Sequence, residues 1–518
     1  MRIVFGLAML LTASPVYSAV WREAETTHFR IVSSGDEKNL QKFAERLEHF
    51  HTLLRLATGA NEANKPVVKV RVYLVPSVGD VKRLYGNLNS DVAGFYSPRE
   101  DGAIAVVPRN TGDGIFTGQL VLFHEYAHHY MLQYTPAAYP SWYVEGFAEI
   151  ASTASFERKG AITFGKAATH RQYEVDAGMG YPVAKMLDGS YIKDRAKGRG
   201  WSYGDAWVLS HYLTFSDSRR GQFRTYLNAI NNGRKMGDAA QAFGDLATLQ
   251  REVGAYLTER SFPYRAVPIA EGSAGPINTR VLGEAESALI DAAIEFERRT
   301  DLPEMPDEDS ESADSKSKKD DFEKRLAKAK QDRTNWIAQI EAVAARYPND
   351  PASWLMISDI RCEIEEFGAC ATAAERALAL NPNSSRALTS KAEAMIGLAA
   401  DLQLDQRKVR IQAAQELLLK ANSLSPNDPL ALLLFYGSFG KMGQPANPEG
   451  LAALLTAVQL VPQLPAPRLL LAQEFIQRGR LRDARIILRP LAYSPHENAA
   501  SMRARALLEQ VESMLGTG

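Results

Sequence analysis

The sequence predicts two architectures in tandem: an α+β domain, then an all-α array of helix pairs. Three observations predict this. Short β-branched runs alternate with an amphipathic helical stretch in the first hundred or so residues. Prolines recur late in the chain, at Pro348, Pro382, Pro426, Pro462 and Pro495, each after a helix-like segment. Between the two regions the composition shifts sharply toward charge. The expected division is 1–18 a signal peptide, 19–297 the α+β domain, 298–331 a charged linker and 332–518 the repeat array.

Residues 1–18 carry one early positive charge (Arg2), an apolar stretch from Ile3 to Leu11 and a cleavage-like Val16-Tyr17-Ser18 before Ala19. This pattern reads as a secretory signal peptide, too short to span a bilayer comfortably. The expected location is therefore periplasmic or secreted, with no transmembrane segment beyond the signal. A formal net charge of −1 over 518 residues gives no basic field for nucleic acid.

His28 to Ser33 reads as a strand. Leu40 to Ala57 is helical, with Leu40, Phe43, Leu47, Phe50 and Leu54 on one face. Val67 to Val75 alternates and is β-branched, a second strand. Ala93–Pro98 and Ala103–Val107 read as a hairpin around Arg99-Glu100-Asp101-Gly102.

That block runs into His124-Glu125-Tyr126-Ala127-His128, an H-E-x-x-H motif. Residues i and i+4 of an α-helix lie about 40° apart around the axis and about 6 Å apart along it. His124 and His128 therefore converge on one ion, and Glu125, about 100° round, lies beside that ion as a general base. A chance match is expected about once per hundred chains of this histidine content, so the motif reads as a zinc site. Three protein ligands leave a catalytic zinc one open position. Trp142-Tyr143-Val144-Glu145-Gly146-Phe147-Ala148-Glu149 supplies a carboxylate on a second helix that doubles back. Tyr134–Tyr139 makes the turn, and Pro140-Ser141 suit the start of that helix. His129 points about 100° away from His128 and reads as packing or surface.

H-E-x-x-H with W-x-x-E-G-x-A-E resembles the gluzincins, the thermolysin and zinc-aminopeptidase clan of metallopeptidases. The resemblance rests on about 26 residues and implies a zincin-like fold, Zn2+ as cofactor and a polypeptide substrate. By position, it makes His124, His128 and Glu145 the metal ligands and Glu125 the general base. Glu149 matches an acid that hydrogen-bonds a zinc histidine in some clan members; an exposed acid or a salt-bridge partner is the competing reading. No G-x-M-E-N segment is present, which argues against an aminopeptidase. Clan members often stabilise the developing oxyanion with a Tyr or His from a later helix. In Trp201 to Leu213 this selects Tyr203, with His211 as the other candidate, unless both simply pack the helix. The clan also binds substrate along the edge strand before the zinc helix, which makes Ala103 to Val107 the expected edge.

From Asp205 to about Phe296 the sequence predicts helices near Gln222–Asn231, Leu246–Arg260 and Glu284–Phe296. Arg298 to Asp332, with Asp307–Ser312 and Lys316–Asp321, reads as a solvated linker. Beyond it the prolines are 34, 44, 36 and 33 residues apart, and turns such as Tyr347-Pro348-Asn349-Asp350-Pro351 resemble those of tetratricopeptide (TPR) repeats. About four degenerate units are expected, the second with an insertion around Ala400–Lys408, closed by a helix at Ser501–Leu515. Ala377, Gly450, Ala457 and Ala484 are the small residues where such helices pack closely. Cys362 and Cys370, the only cysteines, either form a disulfide or fill small core positions, with packing preferred.

The full expectation is an α+β zincin-like metallopeptidase domain followed by an all-α TPR solenoid. Its function would be that of an exported zinc metallopeptidase, an endopeptidase whose protein substrate or partner is recruited by the repeats. The alternative is a non-catalytic envelope scaffold or assembly factor with a structural zinc site.

Overall fold

The structure, a computed structural model, describes residues 20–63, 68–109, 117–157, 160–176, 180–195, 200–270, 272–303, 313–494 and 498–516. The expected signal peptide lies outside the described residues. None of the described helices is long and apolar enough to cross a membrane.

The first half is built on a six-stranded mixed sheet. Its strands are β1 (Arg22–Glu25), β2 (Phe29–Ser33), β3 (Val70–Val75), β4 (Phe95–Ser97), β5 (Ile104–Pro108) and a late strand, Asn278–Val281. The spatial order is β4-β5-β3-β2-β1 and then Asn278–Val281. β2, β3 and β5 are parallel, and the outer strands run antiparallel to their neighbours.

Alternation along the strands builds two cores. Ile31, Val72, Leu74, Ala105 and Val107 pack with helix α1 (Glu37–Thr58) and with the motif helix. Val32, Tyr73, Val75, Ile104 and Val106 face the other way, onto α2 (Val78–Tyr85) and the Ile290–Thr300 helix. With both faces covered, alternation stops at Arg71 in β3, and Val72–Val75 and β5 read as apolar runs.

β5 is therefore not the edge. It pairs with β3 on one side and β4 on the other, with Phe95 opposite Val106 and Ser97 opposite Ile104. The edge beside the motif helix is β4, and the expectation that Ala103 to Val107 fills that place is corrected. The hairpin returns its first strand outward, which a reading of strand order alone does not reveal.

After the motif helix α3 (Gly118–Tyr134) and α4 (Ser141–Ser152), a three-stranded sheet forms from Ser155–Glu157, Ala161–Phe164 and Arg265–Pro268. The predicted helices appear as Arg220–Asn231, Leu246–Tyr256 and the pair Glu284–Ala288 and Ile290–Thr300.

The linker expectation fails from Ala313 onward. Ala313–Arg346 is one helix, Phe322 in it is buried, and Arg333 donates to the Thr300 carbonyl at 3.1 Å. No proline or glycine interrupts this stretch, and its Lys, Glu, Ala and Arg residues are good helix formers. Charge alone was a poor sign of disorder here. The acidic-serine run Asp307–Ser312 lies outside the described residues.

Four helix pairs follow: Pro351–Glu363 with Phe367–Leu380, Ser385–Gly397 with Leu404–Leu424, Pro429–Lys441 with Pro448–Leu460, and Pro465–Gln477 with Leu481–Ala492. Ala499–Gly516 closes the array. Pro351, Pro429, Pro448 and Pro465 each start a helix, where a missing N–H costs nothing. The expected insertion becomes a turn and the first residues of the long Leu404–Leu424 helix. Ala377, Ala457 and Ala484 are fully buried. A Cβ on Gly450 would lie 2.8 Å from the Phe439 ring, so the small residue there is required by packing.

Cys362 and Cys370 form a disulfide between the two helices of the first pair. The preference for simple packing is corrected. Both readings need small buried positions, so only the facing of the two side chains separates them.

Candidate metal centre

Helix α3 carries the H-E-x-x-H residues because its opposite face is locked into the core. Thr117 caps it, accepting from the Leu120 N–H. Phe123 stacks on Phe50 with ring centres 3.8 Å apart, and the Tyr126 hydroxyl lies 2.8 Å from His51 Nδ1. His124, Glu125 and His128 are thereby turned to the partly open face. The chain reverses at Thr135–Pro140, and α4 lies against α3. Trp142 is wholly buried, which fixes the rotation of α4 and points Glu145 inward.

Three donor atoms converge. His124 Nε2 and His128 Nε2 are 3.1 Å apart, and Glu145 Oε2 lies 3.3 Å from the first and 3.4 Å from the second. Donors around a tetrahedral ion bound at about 2.0–2.1 Å are separated by about 3.3 Å. The triangle is therefore of the right size for zinc, and two imidazoles with a carboxylate are the right donor set. His124, His128 and Glu145 fit the ion that the sequence implies.

Electrostatics at this triangle favour a cation. Burial raises the Glu145 carboxyl, but the charges and hydrogen bonds of His128 and His124 outweigh it and hold it well below the usual range. Burial would lower His124, yet Glu145 and Glu149 push it up to about 10. The carboxylates thus favour positive charge at His124, Glu145 from the Nε2 side and Glu149 from the Nδ1 side.

Glu149, one turn after Glu145, is fully buried. Its Oε1 lies 3.3 Å from His124 Nδ1, and it also meets His170 Nε2 at 2.6 Å and Arg171 Nη2 at 2.6 Å. Burial raises this carboxyl, and His124, His170 and Arg171 together hold it far down. A carboxylate at Nδ1 orients the His124 ring and leaves Nε2 for the triangle. Sequence reasoning missed His170 and Arg171. They follow a strand more than twenty residues after Glu149, at no motif spacing, and only the fold returns them.

Tyr203 opens the Tyr203–Phe215 helix, capped by Ser202 and Asp205. Its ring centre is 6.1 Å from that of His124, and the Arg171 guanidinium lies 4.5 Å over its face. Burial, reinforced by the Glu145 charge, pushes its phenol up to about 12, so it keeps its proton at neutral pH. His211 is placed elsewhere. Its Nδ1 meets the Tyr256 hydroxyl and its Nε2 the Gly165 carbonyl, both at 2.7 Å. With both nitrogens engaged and the ring buried, His211 is a packing residue. His129 likewise packs, with Nδ1 2.9 Å from the Tyr96 hydroxyl and 3.0 Å from Gln463 Nε2.

A second group, His28, His51 and Glu62, also brings three donor-bearing side chains together. The two rings stack face to face at 3.6 Å and 20°, so their in-plane lone pairs run side by side and do not converge. His28 Nδ1 is held by Glu48 at 2.7 Å and His51 Nδ1 by Tyr126. This is an ion-pair network beneath α3.

Beside the triangle opens a cavity of about 350 Å³. One wall comes from α3, α4 and β4, with Glu125, His128, Met131, Val144 and Tyr96. The opposite wall comes from the repeats, with Leu464, Arg468 and Leu491 among others. Nothing in either sequence segment alone signals that pairing.

No family model matches this chain, and no curated protein matches it. The solved structures it matches include a thermophilic TPR protein of Thermus thermophilus, at 18% identity over 33% of this chain and 89% of that one, with a TM-score of 0.29. They also include PilW, a type IV pilus biogenesis factor, at 19% identity over 36% of this chain and 86% of that one, with a TM-score of 0.26. Yeast Tom70 matches at 10% identity over 76% of this chain and 70% of that one, with a TM-score of 0.29. These neighbours include TPR proteins, and at such scores nothing about activity or partners follows for this chain.

Proposed function

We propose that the chain is an exported zinc-dependent peptidase acting on polypeptides, an endopeptidase with a repeat array that recruits its protein substrate or partner. The observation that carries this reading is the convergence of His124 Nε2, His128 Nε2 and Glu145 Oε2 into one triangle beside Glu125. His124, His128 and Glu145 would hold the ion. Zinc bound there supplies Lewis acidity toward water and toward the scissile carbonyl.

The remaining roles belong to the chain itself. Glu125 takes a proton from the attacking water and returns it to the leaving amine. Tyr203 donates its O–H to the carbonyl oxygen as negative charge grows. Glu149 orients His124, and Arg171 holds both Glu149 and the ring of Tyr203 in place.

Export is supported by the Cys362–Cys370 disulfide, a bond that persists in oxidising compartments. The helix pairs support a second reading, a scaffold whose working part is the repeat array and whose metal is structural. Glu125→Gln separates the two. A peptidase loses about 100-fold or more of its turnover of casein or a peptide library while keeping its metal. A wild-type protein that binds zinc and cleaves nothing, or a variant as active as wild type, would defeat the enzymatic reading.

A further inference from the structure

The cavity beside the triangle has an unusual charge distribution. Of the described residues lining it, the histidines aside, only Glu125 and Arg468 are charged. Arg468 stands in the first turn of the Pro465–Gln477 helix, in the last repeat pair, and only 4% of it is exposed. Its Nε and Nη2 donate to the Pro462 carbonyl at 3.2 and 2.7 Å, and its Nη1 to the Ile487 carbonyl at 3.3 Å.

These partners are all neutral. Among the described residues three arginines are buried, and the other two have carboxylates: Arg99 has Glu297 at 3.3 Å and Arg489 has Glu512 at 3.3 Å. Among the described residues no carboxylate pairs with Arg468. Burial pushes its guanidinium down to about 10, and it stays charged at neutral pH. A desolvated cation without a counter-charge is costly, and chains rarely keep one unless something else neutralises it. A guanidinium has five N–H donors in a planar fork that matches a carboxylate. Three are used on the two carbonyls, which leaves two for a ligand entering the cavity.

We infer that Arg468 is the carboxylate-binding residue of the substrate cleft, anchoring either the chain end or an Asp or Glu side chain of the bound peptide. The inference rests on the peptidase reading for the identity of the ligand, and it gives the repeat array a direct part in substrate choice. Leu464, Leu491, Met131 and Val144 supply apolar wall around the anchor, so the segment between carboxylate and scissile bond carries apolar side chains.

The test measures binding, not turnover. Zinc-loaded full-length Glu125→Gln protein is titrated against four fluorescent apolar peptides, followed by anisotropy. One ends in a free carboxylate and one in an amide; the other two are amides carrying an internal Asp or Asn. A carboxylate peptide should bind about tenfold or more tighter than its neutral counterpart. Preference for the free acid identifies the chain end, and preference for Asp over Asn identifies a side chain. Adding Arg468→Gln should collapse the difference to less than about twofold, and Arg468→Lys should restore part of it. Equal affinity for all four peptides overturns the inference without any variant at Arg468. So does a difference that survives in folded Arg468→Gln protein.

The two readings fail separately. Protein that binds through Arg468 but leaves the peptides intact when Glu125 is restored keeps the anchor and loses the peptidase. Protein that cleaves acidic and neutral peptides equally keeps the peptidase and loses the anchor.

Discussion

At the triangle, His124 is the side chain on which the account bears hardest, because its two nitrogens have different duties. Nε2 faces Glu145 and His128, and Nδ1 faces Glu149. A cation that takes Nε2 competes with a proton at that nitrogen, which faces Glu145, so metal affinity falls as pH falls. Glu149→Gln removes the carboxylate at Nδ1 and leaves Arg171 and His170 without the carboxylate they share. The expected outcome is a loss of about 10–100-fold in zinc affinity, read by competition with a chromogenic chelator. Unchanged affinity would make Glu149 a structural acid only. The triangle's residues were legible in the sequence: helical spacing puts His124 and His128 on one face, and the W-x-x-E-G-x-A-E resemblance adds Glu145. The residues around them were not, since Glu149 finds His170 and Arg171 only through the strands that intervene.

The site also depends on how closely two helices approach. Gly146 lies between Glu145 and Phe147 on α4, and a Cβ there would meet Ser210 Oγ at 2.0 Å and the Ala206 carbonyl at 2.3 Å. The glycine of E-G-x-A-E therefore lets the Tyr203–Phe215 helix pack directly on α4 and keeps Tyr203 near His124. Gly146→Ala should destabilise the chain by about 1–3 kcal/mol through overpacking, measured as a lowered urea midpoint at unchanged slope. A neutral result would mean that the two helices separate freely. Periodicity made the larger elements readable, from the Leu40–Leu54 face of α1 to the repeat units that end before Pro348, Pro382, Pro426 and Pro462. It could not order the sheet. β1 and Asn278–Val281 are four residues each and pair across most of the α+β region, and such partners leave no local trace.

At the scale of the molecule, the repeats do not trail away from the sheet but return to it. Gln133 donates to the Gln459 carbonyl at 2.9 Å, Gln463 meets His129 at 3.0 Å, and Arg489 donates to the Asn231 carbonyl at 3.0 Å. These contacts join residues more than two hundred and fifty positions apart. A sequence read as two domains and a linker carried no sign of them, and the cavity wall that bears Arg468 is their consequence. The H-E-x-x-H motif and the array thus line one cleft, with Glu125 and His128 on one side and the buried Arg468 guanidinium on the other.

Elemental analysis of purified full-length protein, loaded with zinc and dialysed, decides whether His124, His128 and Glu145 hold one ion. Wild type and Glu125→Gln should each retain one zinc per chain, and His128→Ala and Glu145→Ala, if folded, should retain little or none. Wild type without zinc, or full zinc in folded Glu145→Ala, would contradict that assignment.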